Sequence, residues 1–454
     1  MPEATTNLIR NSILSHWDKI CDERIGHALL SPAGEVLRTW QEVEDESRAL
    51  AQKIKRGSGV VAVQAGNDPS VPAILLACWR SGRAVVLHDL ELQGEARDRL
   101  EAALGVTTRV VRQQNGEIVF SLLNNEERNE PGICFYKVTA GTDAGLRTIG
   151  FTAEQLLADC EQIVETMGIG PADVNYGLVA FSHSYGFNSL ITPLLCRGIA
   201  LVIAGDSLPW AMESGLRLTK ASVIPLVPAM FRALLSVAAL PPSVRLCVSA
   251  GVTLDPLLAA DFHARFGLKI HSFYGTSDCG GICYDATDDP VEELGFVGQP
   301  VRGVSIVLCR PDAIEGSRIT VRSAAVAGAS GQGSVDPCDL LVLGARGFRI
   351  VGKETDIINV AGKKVHPAEI ESVLLKIPGV IAAAVCGAAD VHRGEEVCAM
   401  LISQQPVDAP AVRRHCGTQL PSWQVPRRIH VLASFPPGSS DRGNLRKFAA
   451  QIFA

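Results

Sequence analysis

The sequence has 454 residues, which is too many for one ordinary hydrophobic core and therefore indicates two or three domains. With 47% apolar residues, 20% charged residues and a formal net charge of -6, the composition is typical of a globular protein and argues against a nucleic-acid or membrane-surface partner. No apolar run reaches the ~18 residues that span a bilayer, and the amino terminus lacks the basic and apolar regions of a signal peptide, so we expect neither feature.

Short apolar runs alternate with helical patterns in the first half of the chain. Residues 59–66 and 84–89 are predicted as buried strands, and residues 69–82 as the helix between them. The same order of strand, helix and strand returns over residues 176–205, with the first strand at 176–181, and again over residues 221–251. Fully apolar strands separated by helices predict parallel sheets covered by helices.

The pattern changes in the second half. Four short alternating runs, at residues 304–310, 317–323, 338–344 and 347–352, predict a small antiparallel subdomain. A helix is then predicted from Pro367, with Glu369 and Glu371 in its first turn, where the helix dipole favours acidic side chains.

Strands at 381–387 and 395–403 and a helix at 412–420 complete a compact α+β unit. The predicted fold is therefore α/β, with a large N-terminal domain (1–351) of parallel sheets covered by helices plus the antiparallel subdomain, followed by a C-terminal domain (352–454).

The cysteine pattern indicates a reducing compartment. The thirteen cysteines are odd in number, scattered in spacing and mostly placed in apolar runs, as expected for buried thiols of a cytoplasmic protein. Cys279 and Cys283 are close together in "CGGIC", but no further ligands stand at zinc spacing, so we interpret them as packing residues.

The stretch "FYKVTAGTDAGLRTIGFT", residues 135–152, predicts a phosphate-binding turn. An apolar lead-in is followed by Thr139, Gly141, Thr142 and Gly145. Backbone N–H groups and hydroxyls of such turns converge on phosphate oxygens. The Walker spacing GxxxxGK[ST] is absent, so this is a different kind of phosphate site.

Four further stretches accompany this turn: "FSHSYGFNSL" (181–190), "SFYGTSDCGG" (272–281), "GFVGQPVRGV" (295–304) and "VGKETDIINVAGKKVHPAEIES" (351–372). In their order and spacing, the five motifs resemble those of the adenylate-forming superfamily, and the resemblance covers essentially the whole chain. That superfamily includes acyl- and aryl-CoA synthetases, adenylation domains of nonribosomal peptide synthetases and luciferases.

The resemblance implies a reaction in two steps. A carboxylate attacks the α-phosphate of ATP, with Mg²⁺, and forms an acyl-adenylate and pyrophosphate. The thiol of CoA, or of the phosphopantetheine on an acyl carrier protein, then displaces AMP. The C-terminal domain is implied to be mobile and to rotate between the two steps.

For the phosphates of ATP, the resemblance assigns Thr139, Gly141, Thr142 and Arg147. The loop departs from the family pattern, because Ala144 replaces a glycine, Leu146 a proline and Arg147 a lysine. Asp143 also sets a negative charge where pyrophosphate is expected. The alternative is a loop that no longer holds a triphosphate.

Around adenine and the α-phosphate, the resemblance assigns Tyr274, Gly275, Ala250 and Gly251 to the base and Thr276, with Ser277, to the phosphate. Asp278 stands where the family has the glutamate that holds Mg²⁺, so the charge and the oxygen ligand are kept while the reach is one methylene shorter. The alternative is that these are ordinary residues at strand ends.

In the second half, Asp339 matches the aspartate that holds the ribose hydroxyls, for which two acceptor oxygens are well suited. Lys353 replaces an arginine and keeps the charge without the bidentate fork. Gly362 borders the implied pantetheine tunnel.

The acid is expected to be apolar or aromatic. His183 stands at the position that lies beside the substrate carboxylate in CoA synthetases. Residues 181–190 contain no aspartate to pair with an ammonium group, and an unpaired buried ammonium is prohibitive, so amino acids are unsuited.

The last motif carries the most consequential departure. Asn444 stands where the family lysine bridges the substrate carboxylate and the α-phosphate. The leading interpretation is an acid–thiol ligase. The alternative is an adenylation-deficient protein that binds acyl or nucleotide ligands or runs only the thioester step. The identity of the acid, the choice between CoA and a carrier protein, and a possible homodimer stay open.

Overall fold

A computed structural model describes residues 10–54, 59–113, 116–128, 130–140, 146–313, 316–327, 333–353, 356–360, 363–390, 394–435, 448–449 and 451–453. The chain divides into two compact units. The first takes in residues 1–139, 146–306 and 321–337, and the second takes in residues 140–145, 307–320 and 338–454. The domain boundary after residue 351 stays a prediction.

The first unit contains the strands and helices that the apolar alternation predicts. Its strands are β1 (His27–Leu30), β2 (Val36–Thr39), β3 (Val60–Gln64), β4 (Val85–Leu87), β5 (Val106–Arg112), β6 (Ile118–Leu122), β7 (Ile133–Ala140), β8 (Leu146–Thr152), β9 (Val174–Gly177), β10 (Ala200–Ile203), β11 (Val223–Leu226), β12 (Leu246–Ser249), β13 (Ile270–Thr276), β14 (Gly280–Tyr284) and β15 (Phe296–Pro300). Its helices are α1 (Ser15–Glu23), α2 (Trp40–Lys53), α3 (Val71–Arg80), α4 (Gly94–Leu104), α5 (Ala153–Met167), α6 (Thr192–Arg197), α7 (Pro209–Thr219), α8 (Pro228–Leu234) and α9 (Pro256–Phe266). Short π-helical turns lie at Arg10–Leu14 and Phe187–Ile191, and one helical turn at Ser184–Gly186.

These strands form two sheets with largely parallel centres. One sheet has the order β6-β5-β3-β4-β7-β8, in which β5, β3, β4 and β7 are mutually parallel. The other has the order β15-β14-β13-β12-β11-β9-β10-β1-β2, with parallel pairing from β13 through β1. The predicted parallel sheets are therefore confirmed, with antiparallel strands added at their edges.

Local sequence explains where several helices begin and end. Thr39 and Thr152 start α2 and α5 with capping boxes that Glu42 and Gln155 complete. Gly168 ends α5 in the left-handed conformation, at a φ of +62°. Helix α3 is apolar and buried from Val71 to Trp79, as expected of a helix enclosed by other elements, and only its last residue, Arg80, is charged.

The short strands of the second half are β16 (Ser305–Leu308), β17 (Ser317–Arg322), β18 (Ser334–Val335), β19 (Asp339–Gly344) and β20 (Gly347–Lys353). Strands β19 and β20 form the antiparallel hairpin that the sequence predicts. Strands β21 (Ile358–Val360), β22 (Lys363–Val365), β23 (Val380–Asp390), β24 (Gly394–Ser403) and β25 (Arg428–Leu432) form a small sheet beside helices α10 (Pro367–Leu374) and α11 (Ala409–Gln419). The α/β fold with a separate, smaller α+β unit is confirmed.

Two local predictions are wrong. The strand predicted at 176–181 ends at Gly177, because the chain then turns sharply and brings Gly186 so close to Ala180 that an added Cβ would lie 2.0 Å from its carbonyl oxygen. Glu371 lies beyond the first turn of α10, where its carboxylate accepts a hydrogen bond of 2.8 Å from the N–H of Val385 in β23.

The cysteines are free thiols, and ten of the thirteen are buried, as predicted. Cys279 and Cys283 are both buried. Across the described ranges, none of the helices combines the length and apolar character needed to cross a bilayer.

Candidate active site

The turn after β13 is the centre of the candidate site. Tyr274 is buried, and the ladder with β14 shifts register between Tyr274 and Gly275. Only glycine fits at Gly275, since a Cβ there would lie 2.5 Å from the carbonyl oxygen of Gly280. The Thr276 hydroxyl accepts a hydrogen bond of 3.3 Å from the N–H of Cys279 and closes the turn that carries Asp278.

Arg147 and Asp278 join the predicted phosphate loop to this turn. Nη2 of Arg147 lies 2.7 Å from Oδ1 of Asp278, and Nη1 lies 3.4 Å from Oδ2. The arginine side chain is 60% exposed and the aspartate side chain is 17% exposed. The Asp278 carbonyl also accepts a hydrogen bond of 2.8 Å from the N–H of Ala327, which fixes the backbone of the turn.

This contact decides how well Asp278 fits the implied Mg²⁺. The guanidinium engages both carboxylate oxygens, so the residue does not fit a metal as it stands. In the part of the chain that the structure describes, no group of three or more His, Cys, Asp or Glu side chains is arranged to hold a metal ion.

The segment around His183 reaches the same turn. The Ser184 hydroxyl is 2.9 Å from the Ser277 hydroxyl, and the buried Tyr185 hydroxyl donates to the carbonyl of Val248 at 2.8 Å. Burial raises the pKa of Tyr185 well above its usual value, so this phenol remains a donor. The His183 side chain is 71% exposed and therefore accessible to a ligand.

Two residues that hold this segment were missed by the sequence analysis. Nε2 of His183 lies 3.7 Å from Oδ2 of Asp89, which directly follows the strand region at β4. Asn67 donates to the carbonyl of Val179 at 3.0 Å and accepts from the N–H of Phe181 at 2.9 Å. Each is a lone polar residue far away in sequence, and no local pattern marks its partner.

Ala250 and Gly251 follow β12, next to β13 in the sheet. Ala250 is buried, and its N–H donates to the carbonyl of Leu226 at 3.4 Å. Gly251 has a φ of +88°, a conformation that favours glycine. The backbone here is thus open at the carboxyl edge of parallel strands, where ligands of α/β sheets bind.

Two buried ionisable side chains, Asp159 and Lys137, belong to the elements around this turn. Asp159 on α5 accepts a hydrogen bond of 2.8 Å from the N–H of Gly281, and Lys137 on β7 lies with Nζ 4.2 Å from the centre of the Phe151 ring. Burial lowers the pKa of Lys137 and raises the pKa of Asp159, and the attraction between the two partly offsets both shifts.

The apolar space behind β11 and β12 is small. An apolar cavity of about 10 Å³ is lined by residues of α5, β11 and β12, among them Ile163, Val223 and Val248. That is the volume of about one water molecule. Side chains must therefore move before an acyl group can enter there.

In the second unit, Asp339 and Lys353 lie directly opposite each other on β19 and β20. Asp339 is buried and Lys353 is exposed. Cys338, just before Asp339, has a φ of +60°, which is uncommon outside glycine.

The structure places Thr139 near the end of β7, partly buried. Predictions that fall on Gly141, Thr142, Gly362 and Asn444 lie outside the described residues. Of the predicted site residues, Arg147 and Asp278 are in direct contact, and Ser184 links the His183 segment to the same turn.

Comparison with known proteins gives the family. The sequence matches AMP-binding enzymes over residues 27–319 and the AMP-binding enzyme C-terminal domain over residues 369–441. The chain belongs to this family. The predictions of an adenylate-forming fold and of an acid–thiol ligase related to acyl-CoA synthetases are confirmed at that level.

Two of the named relatives are CoA ligases. The 2-succinylbenzoate–CoA ligase of Bacillus pumilus is 24% identical over 440 residues, which are 88% of this chain and 90% of that protein. The sulfoacetate–CoA ligase of Cupriavidus necator is 26% identical over 335 residues, which are 69% of this chain and 65% of that protein.

A solved structure shares the fold. The o-succinylbenzoate CoA synthetase of Bacillus subtilis in complex with AMP aligns with a TM-score of 0.82 at 21% identity, covering 94% of this chain and 96% of that chain. The same enzyme in complex with ATP and a magnesium ion aligns with a TM-score of 0.81, at the same identity and coverage.

Proposed function

We propose that this chain is an AMP-dependent ligase that activates an apolar or aromatic carboxylic acid as its adenylate and passes the acyl group to CoA or to a carrier-protein pantetheine. The observation that carries the proposal is the meeting of three separately predicted motifs at one turn. Arg147 contacts Asp278, and Ser184 contacts Ser277.

The proposed roles are those that the family motifs imply for these residues. Tyr274, Gly275, Ala250 and Gly251 bind adenine, and the Thr276 turn faces the α-phosphate. Arg147, with the loop from Thr139 to Thr142, binds the further phosphates. A guanidinium is suited to phosphate because it can form two parallel hydrogen bonds, but Arg147 must first open at least one of its bonds to Asp278.

The remaining roles concern the acid, the ribose and the thiol. His183 binds the substrate carboxylate, and Asp89 beside it holds the ring in place. Asp339 binds the ribose hydroxyls with Lys353 opposite, and Gly362 admits the thin pantetheine chain.

ATP–pyrophosphate exchange tests the first half-reaction. A panel of fatty, benzoic, cinnamic and 2-succinylbenzoic acids is offered, with amino acids as the negative set. Exchange with at least one carboxylic acid and none of the amino acids is expected. Exchange confined to amino acids would contradict the assignment of substrate class.

A second candidate is a family member without competent adenylation, which binds nucleotide or runs only the thioester step. It is favoured by the guanidinium on Asp278 and by asparagine at position 444. Calorimetry separates the candidates, because adenine and ribose groups are largely kept while the phosphate loop is altered. AMP is then expected to bind more tightly than MgATP. Equal or tighter binding of MgATP would favour full adenylation.

A further inference from the structure

Two departures from the family motifs meet in a single contact. The motif has lysine where this chain has Arg147, and glutamate where it has Asp278. An ammonium group is a point charge, whereas a guanidinium presents a planar fork that matches a carboxylate with two parallel bonds. Here the fork is formed, at 2.7 and 3.4 Å, across 131 positions of sequence.

The contact occupies the groups that a metal ion needs. Mg²⁺ requires oxygen ligands in near-octahedral geometry at about 2.0–2.1 Å. With both oxygens of Asp278 facing the guanidinium, an ion at this carboxylate must first displace Arg147. The shorter aspartate also reaches one methylene less far than a glutamate into the space where phosphates are expected.

A second basic side chain, Lys137, interacts electrostatically with the same turn. Lys137 is 3% exposed, and its ammonium lies over the Phe151 ring rather than in an ion pair with a described carboxylate. The charge of Asp278 acts on this ammonium as well as that of Asp159. Arg147 is in direct contact with Asp278, and Lys137 adds a second basic group whose charge interacts with it.

We propose that Arg147 takes the place of the divalent cation at Asp278, so that nucleotide binds at this turn without a metal ion on that carboxylate. The proposal rests on the proposed nucleotide-binding function. It concerns the ligand of one carboxylate and leaves open any metal that ATP carries on its own phosphates.

The test compares nucleotide affinity with and without metal. Calorimetry measures the Kd of AMP in excess Mg²⁺ and in EDTA for the full chain. The wild-type Kd is expected to change by less than about threefold, which corresponds to less than ~0.7 kcal/mol. In Arg147→Ala, the freed carboxylate is expected to make AMP binding at least about tenfold weaker in EDTA than in Mg²⁺.

Direct metal binding provides a readout independent of affinity. Mn²⁺ is titrated against the AMP complex and followed by electron paramagnetic resonance. The wild-type complex is expected to bind no Mn²⁺ at Asp278, and Arg147→Ala is expected to gain one site. Arg147→Ala together with Asp278→Asn should lose that site again.

Arg217→Ala is the matched control. Arg217 on α7 forms an ion pair with Glu213, and the side-chain exposures of 66% and 20% are close to those of the Arg147 pair. This variant should behave as wild type in every measurement.

The outcomes distinguish the replacement of the metal by Arg147 from the proposed nucleotide-binding function on which it rests. A wild-type protein that loses AMP affinity about tenfold in EDTA, or an Arg147→Ala variant indistinguishable from Arg217→Ala, would overturn the metal replacement alone. Failure of AMP to bind in either condition would overturn the nucleotide-binding function and the replacement with it.

Discussion

The contact between Gly280 and Asp159 is predicted to set the shape of the turn that carries Thr276 and Asp278. Gly280 has a φ of +73°, and a Cβ built there would lie 2.1 Å from Oδ1 of Asp159. The φ alone costs an L-residue ~1–2 kcal/mol. The collision must also move the carboxylate away from the Gly281 N–H, and a buried group left unpaired costs ~1–3 kcal/mol. Gly280→Ala should therefore lower the free energy of unfolding by ~2–5 kcal/mol.

A double-mutant cycle identifies the cause. Asp159→Ala breaks the same hydrogen bond without backbone strain and should cost ~1–3 kcal/mol. In the double variant the carboxylate is absent, so Gly280→Ala adds only its backbone strain to the cost of Asp159→Ala. The total loss of unfolding free energy should then be ~2–5 kcal/mol, rather than the ~3–8 kcal/mol expected if the two losses were independent. A coupling energy of ~1–3 kcal/mol is expected, as for residues in direct contact.

The assay is urea unfolding followed by tryptophan fluorescence. Trp17, Trp40 and Trp79 are fully buried in the same unit as the turn and report its unfolding. AMP affinity is measured in parallel and should fall in Gly280→Ala, because the turn that carries the phosphate-facing groups is displaced.

Gly168→Ala is the matched control, since Gly168 ends the helix that carries Asp159. It has a φ of +62° with nothing within 4 Å of an added Cβ, so it should cost only the ~1–2 kcal/mol of strain and leave AMP binding unchanged. Additive losses in the cycle, or a Gly280→Ala variant no less stable than Gly168→Ala, would refute the reasoning.

Three further predictions concern single side chains. Asp339→Ala should abolish AMP binding in calorimetry, whereas Cys283→Ser should leave it intact. AMP binding by Asp339→Ala would contradict the proposed role of Asp339 in holding the ribose. Asn444→Lys should speed pyrophosphate release about tenfold, which needs only ~1.4 kcal/mol, and should leave thioester formation from added acyl-adenylate unchanged. Unaltered pyrophosphate release would show that another residue supplies the cation. Burial lowers the pKa of Lys137 in the folded protein below its unfolded value of 10.5. Between the folded and the unfolded pKa, the unfolded chain binds more protons than the folded one, so this group makes the free energy of unfolding rise with pH in that range. Lys137→Met should flatten that dependence in urea unfolding at neutral and alkaline pH, and an unchanged slope would contradict it.

The fold could be predicted from the sequence because the pattern of apolar residues within each strand and helix is a local property of the chain. The run Val60–Gln64 is a fully buried strand of a parallel sheet, and helix α3 is apolar and buried from Val71 to Trp79. The resemblance to the family motifs implied that Arg147, His183 and Asp278 belong to one site, and the contacts of Arg147 with Asp278 and of Ser184 with Ser277 agree with this.

The supporting residues were not predictable in the same way. Asp159 reaches Gly281 across 122 positions, and Asn67 reaches Phe181 across 114. A lone aspartate on a helix or a lone asparagine in a loop is more often a solvated side chain, so its sequence context gives no sign of a distant partner. Lys137 follows the apolar lead-in to the phosphate loop, and only packing shows that its side chain is buried.

The departures from the family motifs converge on adenylation rather than on thioester transfer. In the proposed adenylation step, asparagine at position 444 supplies no cation between the attacking carboxylate and the α-phosphate, and Arg147 is a cation at the phosphate-facing turn. Its fork, however, already faces Asp278. One guanidinium cannot keep both hydrogen bonds to that carboxylate and also form two parallel hydrogen bonds with a phosphate, so stronger binding of one anion weakens binding of the other. Residues 360–371, which the family resemblance assigns to the pantetheine side, retain the family pattern, and the proposed thioester step needs no such cation. Adenylation is therefore the step at which this chain should differ most in rate from its relatives.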